Sequence, residues 1–330
     1  MGVTAPHARI SGMGIGVPDR VVTNADLEKF VDTTDEWIQT RTGIKERRLI
    51  EDGLTNSDIC VKAANQAMEE AGITAMDLDV IIVATVTPDV KFPSTACYLQ
   101  AKIGAENAAA FDLGAACSGF VYALSVADGM MHNPEYRNIL VVGSDILSSV
   151  TDWSDRSTCV LFGDAAGACI ISKSDGSSGI LSTYIQSDGR LANVLNAPAG
   201  GVSMPITPEV LESKQQYVQM NGREVFRHAV RTMSTASHRV LEDCGLTYND
   251  IALLIPHQAN KRIIQAIARD LELPDDRVYI NLERYGNTAA ATIPVAMKEA
   301  KDLGLLKPGD YCLLVVAGGG FTWGASIIKM

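Results

Sequence analysis

Residues 70–81, Glu70-Ala71-Gly72-Ile73-Thr74-Ala75-Met76-Asp77-Leu78-Asp79-Val80-Ile81, return later in the chain as Glu242-Asp243-Cys244-Gly245-Leu246-Thr247-Tyr248-Asn249-Asp250-Ile251-Ala252-Leu253. Gly72 aligns with Gly245 and Asp77 with Asp250, both 173 residues on, whereas pairing Glu70 with Glu242 needs a one-residue slip. Each copy reads as a helix end, a glycine turn and an apolar strand. A second echo follows in the same order. Gly167-Ala168-Cys169-Ile170-Ile171 matches Gly324-Ala325-Ser326-Ile327-Ile328 at a spacing of 157. Two ordered matches point to a duplicated chain, with halves at 1–173 and 174–330.

Outward from this repeat, short apolar runs alternate with helical patterns. Val80–Ala84 follows a helical stretch at 56–72, and Asn138–Gly143 follows another after Cys117. Ala168–Ser172, Ile251–Ile255 and Tyr311–Ala317 continue the theme. Near-continuous apolar strands between helices predict α/β sheets, largely parallel and buried on both faces. The join near 173–220 is rich in Gly, Ser and Pro and predicts long loops.

Composition narrows the class. A chain of 330 residues, 47% apolar and 20% charged, supports a sizeable globular core in about two domains. A net charge of −11 argues against a general nucleic-acid role. Seven cysteines without paired or zinc-like spacing predict a reduced, cytoplasmic protein with no structural metal. No stretch reaches the 18 or so consecutive apolar residues of a membrane span.

Three polar segments carry candidate chemistry. Cys117 lies in Phe111-Asp112-Leu113-Gly114-Ala115-Ala116-Cys117-Ser118-Gly119-Phe120, crowded by small residues that let a ligand approach the sulfur. A helix over 118–132 would point its amides at that sulfur and favour the thiolate. His257 follows the apolar run Leu253-Leu254-Ile255-Pro256, at the carboxyl end where α/β sheets place working residues. Asn287 sits in Tyr285-Gly286-Asn287-Thr288-Ala289-Ala290, before a helix starting near Ala290. Cys, His and Asn in these settings suggest covalent thioester chemistry.

Other features weigh less. Gly12-Met13-Gly14-Ile15-Gly16 lacks the third-glycine spacing of a dinucleotide fingerprint, and Pro18 follows it. Gly318-Gly319-Gly320-Phe321-Thr322-Trp323-Gly324 reads as a turn between two strands that could present a backbone amide to a substrate oxygen. Arg223, Arg227 and Arg231 recur every four residues on a helix predicted over 221–242, and Lys261 and Arg262 open the helix after His257. In an acidic chain this basic stripe hints at an anionic ligand.

Taken together, AACSGF around Cys117, PHQAN around His257, YGNTAA around Asn287 and the terminal GGGFTWG resemble β-ketoacyl-acyl carrier protein synthase III. So do Asp32–Ile44 and the run from Asp155-Arg156-Ser157-Thr158 to Phe162-Gly163-Asp164. The resemblance covers nearly the whole chain in order. It implies a thiolase-like fold of two duplicated α/β halves in α-β-α-β-α layers, which agrees with the internal repeat.

The resemblance also implies roles. Cys117 takes an acyl group from an acyl-coenzyme A primer. His257 and Asn287 donate hydrogen bonds as malonyl-acyl carrier protein loses carbon dioxide, and the amides of Cys117 and Gly319 form an oxyanion hole. Trp37 and Arg156 match positions that sandwich the adenine of coenzyme A, Arg41 one that meets its phosphates, and Gly222 and Phe226 the pantetheine tunnel. Arg227, Gln258, Lys261 and Arg262 match the carrier-protein surface. Phe92 matches a residue reaching the partner's acyl pocket, which implies a homodimer. No cofactor, membrane or nucleic acid is expected.

Two departures stand out: Ala289 replaces a Ser common in the family, and segment 190–217 is long. The alternative is a related synthase of secondary metabolism, of alkylquinolone or polyketide type, with the same mechanism and other substrates. A papain-like protease shares the Cys-His-Asn order but not the local signature around its Cys.

Overall fold

The computed structural model describes residues 7–330. Nine strands build two large sheets: β1 (Ala8–Gly16), β2 (Val80–Ala84), β3 (Ala109–Leu113), β4 (Asn138–Ile146), β5 (Asp164–Lys173), β6 (Gly179–Ser187), β7 (Ile251–Pro256), β8 (Tyr311–Gly318) and β9 (Thr322–Lys329). Six helices matter for the site: α1 (Asp35–Thr42), α2 (Asn56–Ala71), α3 (Gly119–Met130), α4 (Gly222–Cys244), α5 (Lys261–Asp270) and α6 (Thr292–Asp302).

The first sheet runs β1-β5-β4-β2-β3 and the second β7-β8-β9-β6. Read from opposite ends, they have one topology. β1 pairs antiparallel with β5, β5 antiparallel with β4, and β4 parallel with β2. β6, β9, β8 and β7 repeat that order and those directions. Four of the seven pairings are thus antiparallel, and the expectation of largely parallel sheets needs correction. Helices cover both faces of a mixed sheet as well, and leave the same apolar runs. The parallel partner β3 has a counterpart reduced to one bridge, Leu254 to Val278. The sequence echo lands on equivalent corners. Thr74 and Thr247 each donate a backbone N–H to the aspartate three residues on, at 2.8 Å in both copies.

Five layers follow from where each strand's two faces point. Side chains alternate across a strand, so a strand buried on both faces supplies two cores. Val80, Ile82 and Ala84 face α3 and α6 in a central core, shared with Leu253, Ile255, Leu314 and Val316 of the second sheet. Ile81 and Val83 face α2 on one outer side, and Leu254, Leu313 and Val315 face α4 and α5 on the other.

Both central helices are entered alike. Short 3-10 turns, Ala116–Ser118 and Ala289–Ala291, precede α3 and α6. Ala116 at φ 45° and Ala289 at φ 46° sit in the left-handed region, and they too are 173 residues apart. A non-glycine residue there costs roughly 1–2 kcal/mol and is typical of functional corners.

The glycines of β1 serve close packing. A β-carbon at Gly12, Gly14 or Gly16 would lie 2.2, 2.1 or 2.0 Å from a carbonyl oxygen of α2. The predicted loops of 173–220 need correction. That stretch contains β6, the edge strand of the second sheet, and a small hairpin pairing Leu195–Asn196 with Gln219–Met220. The β-branched and aromatic residues of Ile180-Leu181-Ser182-Thr183-Tyr184-Ile185, bounded by Gly179 and Asp188-Gly189, were the available signal. Among the described residues, no helix is long and apolar enough to cross a membrane.

Candidate active site

The site lies at the carboxyl ends of β3, β7 and β8, in a cavity of about 640 Å³. Cys117, His257 and Asn287 all line it, although they come from three segments far apart in sequence. Trp37, Arg41, Gly222, Phe226 and Arg262 line it as well.

Cys117 is 7% exposed at the 3-10 turn that leads into α3. The dipole of α3 favours a thiolate, but burial dominates. Desolvation, reinforced by the negative charge of Asp145, pushes the thiol up to about 12, against a smaller pull from the Cys117 amide. The resting residue is therefore the thiol, which differs from the expectation drawn from the helix alone. Gly318 packs directly behind it, because a β-carbon there would sit 2.7 Å from the Cys117 amide nitrogen. Thr322 Oγ1, from the start of β9, donates to the Ala115 carbonyl at 3.1 Å and ties the glycine turn to the cysteine turn.

His257 extends β7, and its backbone N–H donates to the Val315 carbonyl of β8 at 2.8 Å. Its ring is buried, and desolvation alone holds it neutral, with its pKa lowered to about 3. Nδ1 lies 2.8 Å from Thr292 Oγ1, at the first residue of α6. Asn287 is held by its backbone, which donates to Leu161 at 2.8 Å and accepts from Gly163 at 3.0 Å. Its Oδ1 accepts from the Ala289 N–H at 2.9 Å, so Nδ2 is the group left to face a ligand. Because that bond comes from a backbone amide, Ala for Ser at 289 leaves it intact.

Two polar residues outside the sequence reading support this constellation. Asp145 is wholly buried and accepts from the Val86 N–H at 2.8 Å, Thr85 and Thr87 hydroxyls at 3.1 Å, and the Ala290 N–H at 3.1 Å. Glu299 of α6 anchors the segment before Asn287. It accepts from Asn281 at 2.6 Å, Tyr285 at 2.7 Å and Arg284 at 3.0 Å. An acid inside the apolar run of β4 was a legible signal for the first; the second had none.

At the mouth, the guanidinium carbons of Arg156 and Arg41 lie 4.9 and 5.5 Å from the Trp37 ring centre. Arg156 is also tethered to the Asp32 carbonyl at 2.8 Å. Asn260 caps α5 and donates to the Arg41 carbonyl at 3.0 Å, joining α1 to α5 across the rim. Arg223, Arg227 and Arg231 are all exposed on α4, as the spacing predicted, and Lys261 and Arg262 are exposed on α5.

Gln258 is the exception among the expected surface residues. It is 1% exposed. Its amide donates to Pro256 at 2.8 Å and Tyr279 at 3.1 Å, and its Oε1 accepts from the Asn281 N–H at 3.1 Å. With every strong group paired inside the protein it cannot meet a docking partner; it braces the His257 loop against the 279–281 segment. Phe92, 86% exposed, does not line this chain's own cavity. Among the described residues no cluster of three metal-ligating side chains occurs.

Comparison with known proteins identifies the family and its fold. Residues 111–189 match the model of 3-oxoacyl-[acyl-carrier-protein] synthase III, and residues 241–330 match the model of its C-terminal part. A β-ketoacyl-[acyl-carrier-protein] synthase III of a Roseiflexus species is 52% identical over 98% of this chain and 99% of its own. The chain belongs to the synthase III family. The crystal structure of the Aquifex aeolicus 3-oxoacyl-[acyl-carrier-protein] synthase III superposes with a TM-score of 0.91 at 46% identity, covering 98% of this chain and all of that one. A priming β-ketosynthase of a polyketide pathway also superposes at 0.91, with 32% identity over 100% of this chain and 98% of that one. The thiolase-like fold that the resemblance implied is thus the family's own, and the two matching α/β halves read from the repeat agree with it. The two matched segments carry Cys117 on one side and His257 with Asn287 on the other.

Proposed function

We propose that this synthase III condenses an acyl-coenzyme A primer with malonyl-acyl carrier protein, starting fatty acid chains through an acyl-Cys117 intermediate. The observation that carries this reading is the convergence of Cys117, His257 and Asn287 on one cavity, with the Asn amide aimed and the His neutral.

In the first half-reaction Cys117 Sγ attacks the primer thioester. The bond to coenzyme A breaks, and the thiol proton ends on the departing sulfur. In the second, the malonyl carboxylate leaves as carbon dioxide, and its electron pair moves onto the thioester as an enolate. His257 and Asn287 donate to the enolate oxygen. The carbanion attacks the acyl-Cys carbonyl, whose oxyanion rests at the amides of Cys117 and Gly319. Collapse expels the Cys117 thiolate, which water reprotonates. Neutral donors fixed at developing charge are the main catalytic device here.

Trp37, Arg41, Arg156, Gly222 and Phe226 receive coenzyme A. The placing of four of these five in the cavity wall supports this, and Arg156 must swing off Trp37 to admit a base. Arg227, Lys261 and Arg262 form the docking face for the acidic carrier protein. Exposed Phe92, beside exposed Val86 and Val90, supports a homodimer in which it closes the partner's acyl pocket. No resident cofactor enters this chemistry. Seven unpaired cysteines support a cytoplasmic setting, and the halves divide at 173.

The likeness to a polyketide priming enzyme keeps a second reading open, in which primer or acceptor differs. Incubation with a panel of acyl-coenzyme A thioesters, followed by peptide mass spectrometry and then malonyl-acyl carrier protein, tests both. An acetyl or short branched adduct on Cys117, discharged to a β-ketoacyl-carrier protein, is the expected result. A long or aromatic adduct would favour the second reading, and no adduct would remove the covalent mechanism.

A further inference from the structure

The histidine has two ring nitrogens, and only one can present a proton to the cavity. Which one does is set by the partner of the other. Here that partner is the Thr292 hydroxyl, 2.8 Å from Nδ1 and 3.0 Å from the Ala289 carbonyl. The hydroxyl has a single proton to give. Either it donates to Nδ1, leaving a proton on Nε2, or it donates to Ala289 and accepts from Nδ1–H, leaving Nε2 bare.

Two observations separate these arrangements. The Ala289 carbonyl already accepts the Thr292 backbone N–H, so it does not need the hydroxyl proton. Thr292 also opens α6, an eleven-residue helix whose amide end carries partial positive charge. An Nδ1 lone pair is favoured at that end, and an Nδ1–H is disfavoured. Both residues are nearly fully buried, at 2% and 4% exposure, so water does not compete strongly for either group.

We propose that Thr292 is a positioning residue that fixes His257 as the Nε2–H tautomer, so that a hydrogen-bond donor faces the reacting thioester. This rests on the reading that His257 acts on the enolate. It adds a fourth side chain to the machinery, and it explains how one neutral imidazole serves as a donor without titrating. Burial keeps the ring neutral, and the hydroxyl then decides its polarity. A bare Nε2 would face the enolate oxygen with a lone pair and raise the barrier instead of lowering it.

The test combines a spectroscopic and a kinetic readout on the full-length protein. Two-bond proton–nitrogen correlation on histidine-labelled wild type should show the His257 ring as neutral Nε2–H. Thr292→Val, which keeps the shape and removes the hydroxyl, should lose that single tautomer. Its decarboxylation of malonyl-acyl carrier protein should fall about 10–100-fold in kcat with KM within about twofold, as when a group orienting a functional histidine is removed. Acylation of Cys117 should stay within about twofold of wild type, and Thr292→Ser should restore kcat to within about threefold.

An Nδ1–H ring in the wild type, equal losses in both half-reactions, or no rescue by Ser would overturn the proposal. Should Thr292→Val not fold, the wild-type spectrum and Thr292→Ser still decide it. His257→Ala distinguishes the premise: if that variant decarboxylates normally, the role of His257 fails whichever tautomer is seen.

Discussion

Gly318 stands against Cys117 so closely that a β-carbon on it would lie 2.7 Å from the Cys117 amide nitrogen and 3.1 Å from its β-carbon. The last residue of β8 thus sets how far the nucleophile turn can settle toward the second sheet. No side chain can enter without moving the backbone that carries both the sulfur and the proposed oxyanion donor. Gly318→Ala is expected to cost about 1–3 kcal/mol of stability, the usual range for overpacking. Its rate of acyl-enzyme formation should fall by about 10²-fold, the lower end of the loss when an oxyanion donor is displaced. Denaturant melts and time-resolved mass spectrometry of the acyl adduct measure the two effects. Wild-type acylation in the Ala variant would show that the turn relaxes freely.

The raised thiol pKa of Cys117 has its own signature. Iodoacetamide labels thiolate, so its rate at Cys117 should climb about tenfold per pH unit with no plateau below pH 10. Cys117→Ser identifies the labelled site. A plateau between pH 7 and 8 would mean that the helix dipole outweighs burial after all.

His257 gives a stability prediction whose sign is fixed. Its folded pKa of about 3 lies below the ordinary histidine value of 6.5. Between those values the unfolded chain binds a proton that the native one does not, so stability is lost as pH falls from 6.5 toward 3. The loss attributable to this ring is about 1.4 kcal/mol per unit in that window. Urea titrations at pH 7 and pH 5 should show wild type losing about 2 kcal/mol more than His257→Gln over that interval. Equal losses would place the ring in a wetter site than its burial implies.

Much of this was legible in the sequence, for reasons that can be named. The strands β2, β4, β5, β7 and β8 are apolar on both faces because helices cover both, and that pattern survives without coordinates. The 173-residue repeat foretold two matching sheets, and it reaches the 3-10 turns at Ala116 and Ala289, where sequence similarity has faded but backbone geometry has not. Helix 221–242 was found two residues later at its far end, ending at Cys244 before Gly245. β1 was not legible, since alternate glycines remove the side chains that mark a strand. Gln258 was misplaced because a polar residue beside His257 looks exposed until Asn281 and Tyr279 fold over it. Thr292 and Glu299 act through contacts across space, which no local pattern records.

The division of labour between half-reactions is open to direct measurement. His257→Ala and Asn287→Ala should each slow malonyl decarboxylation by about 10²–10³, the loss typical of one donor at a developing oxyanion. Both should leave Cys117 acylation near wild type, because neither group is needed to pass the thiol proton to the departing sulfur. Single-turnover acylation and carbon dioxide release give the two rates separately. Parallel losses in both would assign these residues to shaping the cavity instead.

Asp145 joins stability to reactivity in one variant. Its carboxylate takes three donors on Oδ1 and the Ala290 N–H on Oδ2, so it ties the end of β2 to the loop after Asn287. Burial raises its pKa to about 6 although those hydrogen bonds pull it down. A raised folded pKa means a contribution to stability that is fully present below the unfolded value of 3.8 and lost as pH rises through about 6. At neutral pH the group is charged, paired only by dipoles, and repels a thiolate at Cys117. Asp145→Asn removes the charge but sets an amide NH₂ against the Ala290 N–H or against the three other donors. Leaving one buried donor unpaired costs about 1–3 kcal/mol. Asn also escapes the burial cost that the carboxylate bears above about pH 6, so the variant's stability deficit against wild type should be larger at pH 4 than at pH 7. Cys117 should meanwhile alkylate faster at pH 8, a pairing that general loosening of the fold would not confine to one cysteine. Iodoacetamide mapping of all seven cysteines separates the cases: acceleration at Cys117 alone supports the electrostatic link, and uniform acceleration along the chain would replace it with partial unfolding.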